Sequence, residues 1–184
     1  MISKNGVRIL TPMEFDKLSR AITKYDYKIL LSIALYTGMR YVELRRLQRH
    51  PEWFLKDRNC IHLPKEAMKK KKRKMQDRYV YLVPASLNYL DMFFKIRKLP
   101  RIQQWNNLLK NWAFKANLGS EGISAKITRK TWESWLAISN KDKIEMVCMN
   151  QGHTQFIAIK HYLNLPFTDE EKQQICNRTA GWMI

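Results

Sequence analysis

Residues 53–83, WFLKDRNCIHLPKEAMKKKKRKMQDRYVYLV, decide the fold class, because they interrupt a chain that otherwise reads as helix. Three segments within them, 53–55, 60–63 and 78–83, combine β-branched and aromatic residues with turn signals between, which predicts three short strands. Between the last two strands stand six consecutive cations, Lys69, Lys70, Lys71, Lys72, Arg73 and Lys74. Such a run repels itself and reads as a solvated loop. Upstream, Thr11-Pro12-Met13-Glu14 is a helix start: a capping Thr, Pro at the first position and Glu closing a capping box. Phe15, Leu18 and Ile22 then share a face. A second helix is predicted from Asp26 to Tyr36, stopping at Gly38, and a third from near Arg40, with Tyr41, Leu44 and Leu47 at helical spacing, ending before Pro51. Downstream the periodicity predicts helices over 86–98, 102–117, 127–138, 141–150, 155–163 and 169–177, with a loop at 119–124. The expected class is α+β and mostly α-helical: a single domain over residues 1–184 with a small three-stranded antiparallel sheet.

Length and composition narrow the partners. A chain of 184 residues with 45% hydrophobic and 11% aromatic content can bury one core. Against 16 acidic residues stand 34 Lys and Arg, a formal charge of +18. Self-repulsion on that scale opposes compaction, and a polyanionic partner, nucleic acid above all, is the usual reason to carry it. A membrane is the rival partner, but apolar runs such as 29–36 are far short of the ~20 residues of a span. Arg8, Asp16, Lys17 and Arg20 rule out a signal-peptide pattern. Cys60, Cys148 and Cys176 form no CxxC pair, and His50, His62, His153 and His161 form no HExxH motif. No metal and no cofactor is expected, and the odd cysteine count suits a reducing, intracellular compartment.

Taken singly, the polar candidates are ordinary. Arg40 at a helix start reads as a solvated surface residue. Lys126 and Arg129 are like charges one turn apart, which repel unless an anion lies between them. His153 follows a helix-ending Gly152, and Tyr162 alone reads as core or interface. Together they are the inventory for cutting a phosphodiester without metal. Two guanidinium forks match phosphate oxygens, a phenol attacks phosphorus, and a Lys protonates the departing sugar hydroxyl.

The same residues carry a family resemblance along nearly the whole chain. Leu10-Thr11-Pro12-Met13-Glu14, Thr37-Gly38-Met39-Arg40-Tyr41-Val42-Glu43-Leu44, Lys126-Ile127-Thr128-Arg129 and Gly152-His153 followed nine residues later by Tyr162 resemble, in order, the motifs of the tyrosine site-specific recombinases, or integrases. The resemblance implies that Arg40 and Arg129 clamp the phosphate with His153, that Glu43 supports Arg40, and that Tyr162 forms a 3′-phosphotyrosyl link. It places a catalytic Lys in the hairpin. Counting back from the third strand favours Lys72, and a longer hairpin favours Lys69; Lys70, Lys71, Arg73 and Lys74 would bind DNA. Lys126 stands where His is more common, Lys130 where a second His is common, and Gln151 where Leu is usual. The implied partners are double-stranded DNA and further copies of the chain, a tetramer on DNA. The implied place is inside the cell, in the cytoplasm, on chromosomal or mobile-element DNA. The tail from Leu165 to Trp182 resembles members from archaea, their viruses or plasmids. Only ten residues precede Thr11, so an N-terminal DNA-clamping domain is expected to be absent. The rival readings are a non-catalytic DNA-binding module, a type IB topoisomerase-like enzyme, and an RNA-binding structural protein that rests on charge alone.

Overall fold

The structure is a computed structural model and describes residues 1–67, 76–152 and 165–182. The chain opens with a hairpin of β1 (Ile2–Lys4) and β2 (Val7–Ile9), paired antiparallel with Ile2 opposite Ile9 and Lys4 opposite Val7. The sequence reading assigns no element to these ten residues. The signal is Asn5-Gly6, a two-residue loop in which both φ angles are positive, 51° and 67°. Helix α1 (Pro12–Arg20) begins as expected: Thr11 Oγ1 accepts from the Glu14 amide at 3.2 Å and Glu14 Oε2 accepts from the Thr11 amide at 3.1 Å. Ile22 lies just past its end yet is fully buried.

Helix α2 (Tyr25–Thr37) is the centre of the molecule. Every residue from Ile29 to Thr37 is buried, the signature of a helix covered on all sides. It packs against α4 (Pro84–Lys95) on one side and α6 (Ile127–Ser139) on another. Gly38 closes α2 in the left-handed conformation, φ 58°, and three residues later the chain enters α3 (Tyr41–Leu47). The predicted sheet follows: β3 (Phe54–Leu55), β4 (Cys60–Leu63) and β5 (Arg78–Tyr81), antiparallel in the order β3-β4-β5, with Cys60 opposite Tyr81 and Leu63 opposite Arg78.

Helix α4 ends three residues before its predicted end. Ile96 adopts an extended backbone and buries its side chain, and Pro100 follows soon after. Helix α5 (Ile102–Lys115) buries Trp105, Leu109 and Trp112 on one stripe; Trp105 stacks on Tyr41 at 5.8 Å. A single 3-10 turn at Lys141–Lys143 precedes α7 (Ile144–Gln151). The predicted helix over 155–163 lies outside the described residues. Helix α8 (Asp169–Thr179) starts on a Thr168–Glu171 capping box and packs on α6 and α1, and Arg178 pairs with Asp16 at 2.7 Å. Trp182 then donates its indole N–H to the Tyr81 carbonyl, 3.2 Å away, tying the tail to β5. Trp105, Trp132 and Trp135 are the largest fully buried side chains of one hydrophobic core. The class is α+β and mostly helical.

Candidate active site

The turn between α2 and α3 aims Arg40. Thr37 Oγ1 donates to the Ile33 carbonyl and accepts from the Met39 amide, and Met39 is buried, so the turn is pinned into the core. Arg40 is the cap residue of α3. Glu43, one turn in, accepts from the Arg40 amide at 2.8 Å on Oε2 and from Arg40 Nη1 at 2.9 Å on Oε1. The Glu43 side chain is wholly buried whereas that of Arg40 is 36% exposed, so the guanidinium is held from below and reaches solvent.

A third residue joins this pair from the sheet. Arg78, the first residue of β5, donates Nη2 to Glu43 Oε2 at 2.8 Å and Nη1 to the Gln151 carbonyl at 2.9 Å. That carbonyl, at the end of α7, also accepts from Arg129 Nη2. Arg129 Nη1 donates to the Gly38 carbonyl at 2.8 Å, and its Nε pairs with Glu133 at 3.0 Å one turn along α6. Arg40, Glu43, Arg78, Gln151, Arg129 and Gly38 thus form one network joining α3, β5, α7, α6 and the α2–α3 turn. Helix C-terminal carbonyls carry partial negative charge, which suits two guanidinium donors at Gln151.

Electrostatics follow from the packing. Burial alone would push the Glu43 carboxyl up, but Arg78, Arg129 and Arg40 outweigh it and hold the carboxyl below its ordinary range. Burial brings Arg78 down to about 10, against the pull of Glu43. On α6, Lys130 is half-buried, and desolvation with Arg129 and Lys126 nearby lowers its pKa, Glu133 opposing. Lys126 is exposed and precedes the first residue of α6, so it and the buried Arg129 sit one turn apart at differing depth.

Of the sequence candidates, the described residues bring Arg40, Glu43 and Arg129 into one network and put Lys126 at the start of the helix that carries Arg129. Lys69, Lys70, Lys71, Lys72, Arg73, Lys74, His153 and Tyr162 lie outside the described residues. The described flanks are defined, however. Asp77 accepts from the Lys65 amide and from His62, each at 2.9 Å, closing the hairpin base, and Gly152 caps α7 with φ 66° immediately before His153. Sequence reasoning passes over Arg78. Its signal is the alternation of the strand, since Arg78 shares the inward face with the buried Val80 and Leu82. A second omission is an open groove of about 1060 Å³ where α3 meets the α4–α5 connection, lined by Arg45, Arg49, Lys95, Arg97, Lys98 and Arg101. Among the described residues, no three His, Cys, Asp or Glu side chains converge as metal ligands, and no helix is long and apolar enough to cross a membrane.

Comparison with solved structures gives this arrangement a context. The chain superposes on XerA recombinase with a TM-score of 0.66 over 97% of its length at 16% identity. The fold is that of a site-specific recombinase. XerH site-specific recombinase matches in two states: bound to difH substrate in a pre-cleavage complex (TM-score 0.59, 82% of this chain, 16% identity) and bound to palindromic difH in a post-cleavage complex (0.60, 97%, 15%). The matched region spans 67% of the XerA chain and 49% and 54% of the two XerH chains. No protein-family model and no curated protein matches the sequence. The recombinase fold agrees with the resemblance carried by residues 37–44, and at this identity the likeness concerns the fold.

Proposed function

We propose that this chain is the catalytic domain of a tyrosine site-specific DNA recombinase, which cuts and rejoins double-stranded DNA through Tyr162 without metal or cofactor. The observation that carries the reading is the arginine network. It joins Arg40 and Arg129, from motifs 89 residues apart, to the carbonyl of Gln151, one glycine ahead of His153 and eleven residues before Tyr162. In this reading the Tyr162 hydroxyl gives its proton to water, and the phenolate oxygen forms a bond to phosphorus as the bond to the sugar oxygen breaks. A lysine of the hairpin, Lys69 or Lys72, gives its proton to that oxygen. Arg40, Arg129, His153 and Lys126 balance the charge that develops on the non-bridging oxygens, where fixed donors have their largest effect. The reverse steps, with a new sugar hydroxyl, rejoin the strand. Several copies act together on DNA, on chromosomal or mobile-element DNA inside the cell.

The test is a pool of nicked duplexes of random sequence, in which the fragment beyond the cut diffuses away and traps the intermediate. The wild type should become covalently linked to DNA, with the link mapping to the peptide that contains Tyr162, in the presence of EDTA as in its absence. Tyr162→Phe should bind DNA and give no adduct. A link at Tyr79, Tyr81 or Tyr89, or none at all, overturns the reading. A trapped adduct that relaxes supercoils but never exchanges strands between two duplexes favours a type IB topoisomerase-like enzyme instead.

A further inference from the structure

We propose that Arg78 is a positioning residue for this cleavage: it fastens Glu43, and through Glu43 the Arg40 guanidinium, to the end of α7 that leads into His153. The inference rests on the reading above, but the observations are those of the free protein. Arg78 is 7% exposed, so it is not a surface cation awaiting phosphate. Its two Nη atoms reach different elements, Glu43 of α3 at 2.8 Å and the Gln151 carbonyl of α7 at 2.9 Å. A planar fork presents two separate donors at fixed spacing, one to each, whereas a lysine would have to reach both from a single nitrogen.

Two further observations support the assignment. Among the charges around Glu43, which are Arg78 on β5, Arg129 on α6 and Arg40 on α3, Arg78 does most to offset burial and keep the carboxylate ionised. An ionised Glu43 is what the Arg40 fork grips. The second is steric: a β-carbon on Gly152 would stand 2.8 Å from Arg78 Nη1. The glycine before His153 therefore makes room for Arg78 to lie against the end of α7. Arg78 also begins the strand that emerges from the 69–74 segment, so one side chain joins the hairpin, the Arg40 turn and the approach to His153.

Arg78→Met and Arg78→Lys separate positioning from mere stability. Selective carbon-13 labelling of glutamate carboxyls reads the Glu43 titration in the free protein, with folding checked by circular dichroism. Glu43 should titrate well above its wild-type position in Arg78→Met and stay near it in Arg78→Lys. On the nicked pool, Arg78→Met should cleave more slowly by roughly 10–100-fold, the scale on which losing an outer-shell partner that orients a metal ligand lowers activity, with DNA binding unchanged. Its rate should also gain a rise with pH that vanishes again in Arg78→Met/Glu43→Gln, because the titrating carboxyl is gone. Arg78→Lys should restore the pH profile but only part of the rate.

An unshifted Glu43 titration in a folded Arg78→Met, or wild-type cleavage by it, overturns the proposal. If Arg78→Met does not fold, Arg78→Lys decides: wild-type cleavage by it shows that the fork is not needed. Absence of any adduct from the wild type overturns the proposed function and the catalytic consequence with it. The Glu43 titration still tells separately whether Arg78 holds that carboxylate.

Discussion

Gly38 and Gln151 touch so closely that a β-carbon on Gly38 would stand 2.5 Å from Nε2 and 2.7 Å from Oε1 of Gln151, with Trp132 at 2.8 Å. Residues from two motifs 113 apart in sequence are thus packed without a methyl group to spare. Gly38→Ala would meet both this crowding and a left-handed backbone at φ 58°. The backbone contributes about 1–2 kcal/mol and overpacking about 1–3 kcal/mol. The variant should unfold at lower urea with an unchanged slope. Its cleavage should fall as well, since the Gly38 carbonyl holds Arg129. A midpoint equal to the wild type would mean that this contact has slack.

Glu43 makes acid stability a readout of the network. Its carboxyl is held below the ordinary range in the folded state by Arg78, Arg129 and Arg40, which together overcome burial. A depressed carboxylate stabilises the fold above its unfolded pKa, about 4.3, and that contribution is lost as pH falls through the lower folded value. Glu43→Gln removes one partner of a buried ion cluster and should cost about 3–5 kcal/mol at neutral pH. The gap between wild type and Glu43→Gln should hold from pH 7 down to about 5 and narrow below the unfolded value. Chemical denaturation across that range measures it, and a gap independent of pH would place the stabilisation in packing rather than charge.

The elements of this fold were legible where one local signal dominates. Thr11 with Glu14 announced α1, Gly38 stopped α2, and the β-branched and aromatic residues of 78–83 marked a strand, which ends at Tyr81. The N-terminal hairpin escaped because its strands are three residues long and only Asn5-Gly6 announces it. The family resemblance pointed to Arg40, to Arg129 and to Glu43 beside Arg40, but not to Arg78 or to the Gln151 carbonyl. Arg78 reaches Glu43 across 35 residues and Gln151 across 73, and no local pattern encodes such contacts. Burial was equally hidden. Nothing in Lys-Ile-Thr-Arg says that Arg129 is packed under the surface while Lys126 remains in solvent.

The basic groove predicts how binding responds to salt. Arg45 lines the groove from α3, the helix that Arg40 caps, so one element carries both cations. If DNA follows the groove, each phosphate neutralised by Arg97, Lys98 or Arg101 adds about 0.9 to the slope of log K against log salt. Replacing all three by Gln should flatten that slope by roughly two to three and weaken binding to all sequences alike. Cleavage at saturating DNA should be retained, because none of the three bonds to the arginine network. Fluorescence anisotropy at several salt concentrations gives the slope. An unchanged value would take the groove off the DNA path and leave the binding to other cations such as those of 69–74.

Lys126 is expected to do the work of the histidine more common at its position. It is exposed, precedes the first residue of α6, and stands one turn ahead of Arg129, whose guanidinium is fixed by Gly38, Gln151 and Glu133. With Arg129 unable to swing, a mobile ammonium at the same helix end is well suited to follow a phosphate as its charge grows. The exposed Lys126 side chain at this helix end is placed to hold non-bridging oxygens. Removing such a donor lowers the rate by roughly 10²–10³. Lys126→Ala should therefore bind DNA and cleave slowly, and Lys126→His should recover much of the activity. The neighbour Lys130 is the control. It is half-buried, and desolvation with the adjacent Arg129 and Lys126 lowers its pKa against the pull of Glu133. If Lys126→Ala cleaves the nicked duplexes at the wild-type rate while Lys130→Gln does not, the lysine that serves the phosphate is Lys130, and Lys126 is only a surface charge.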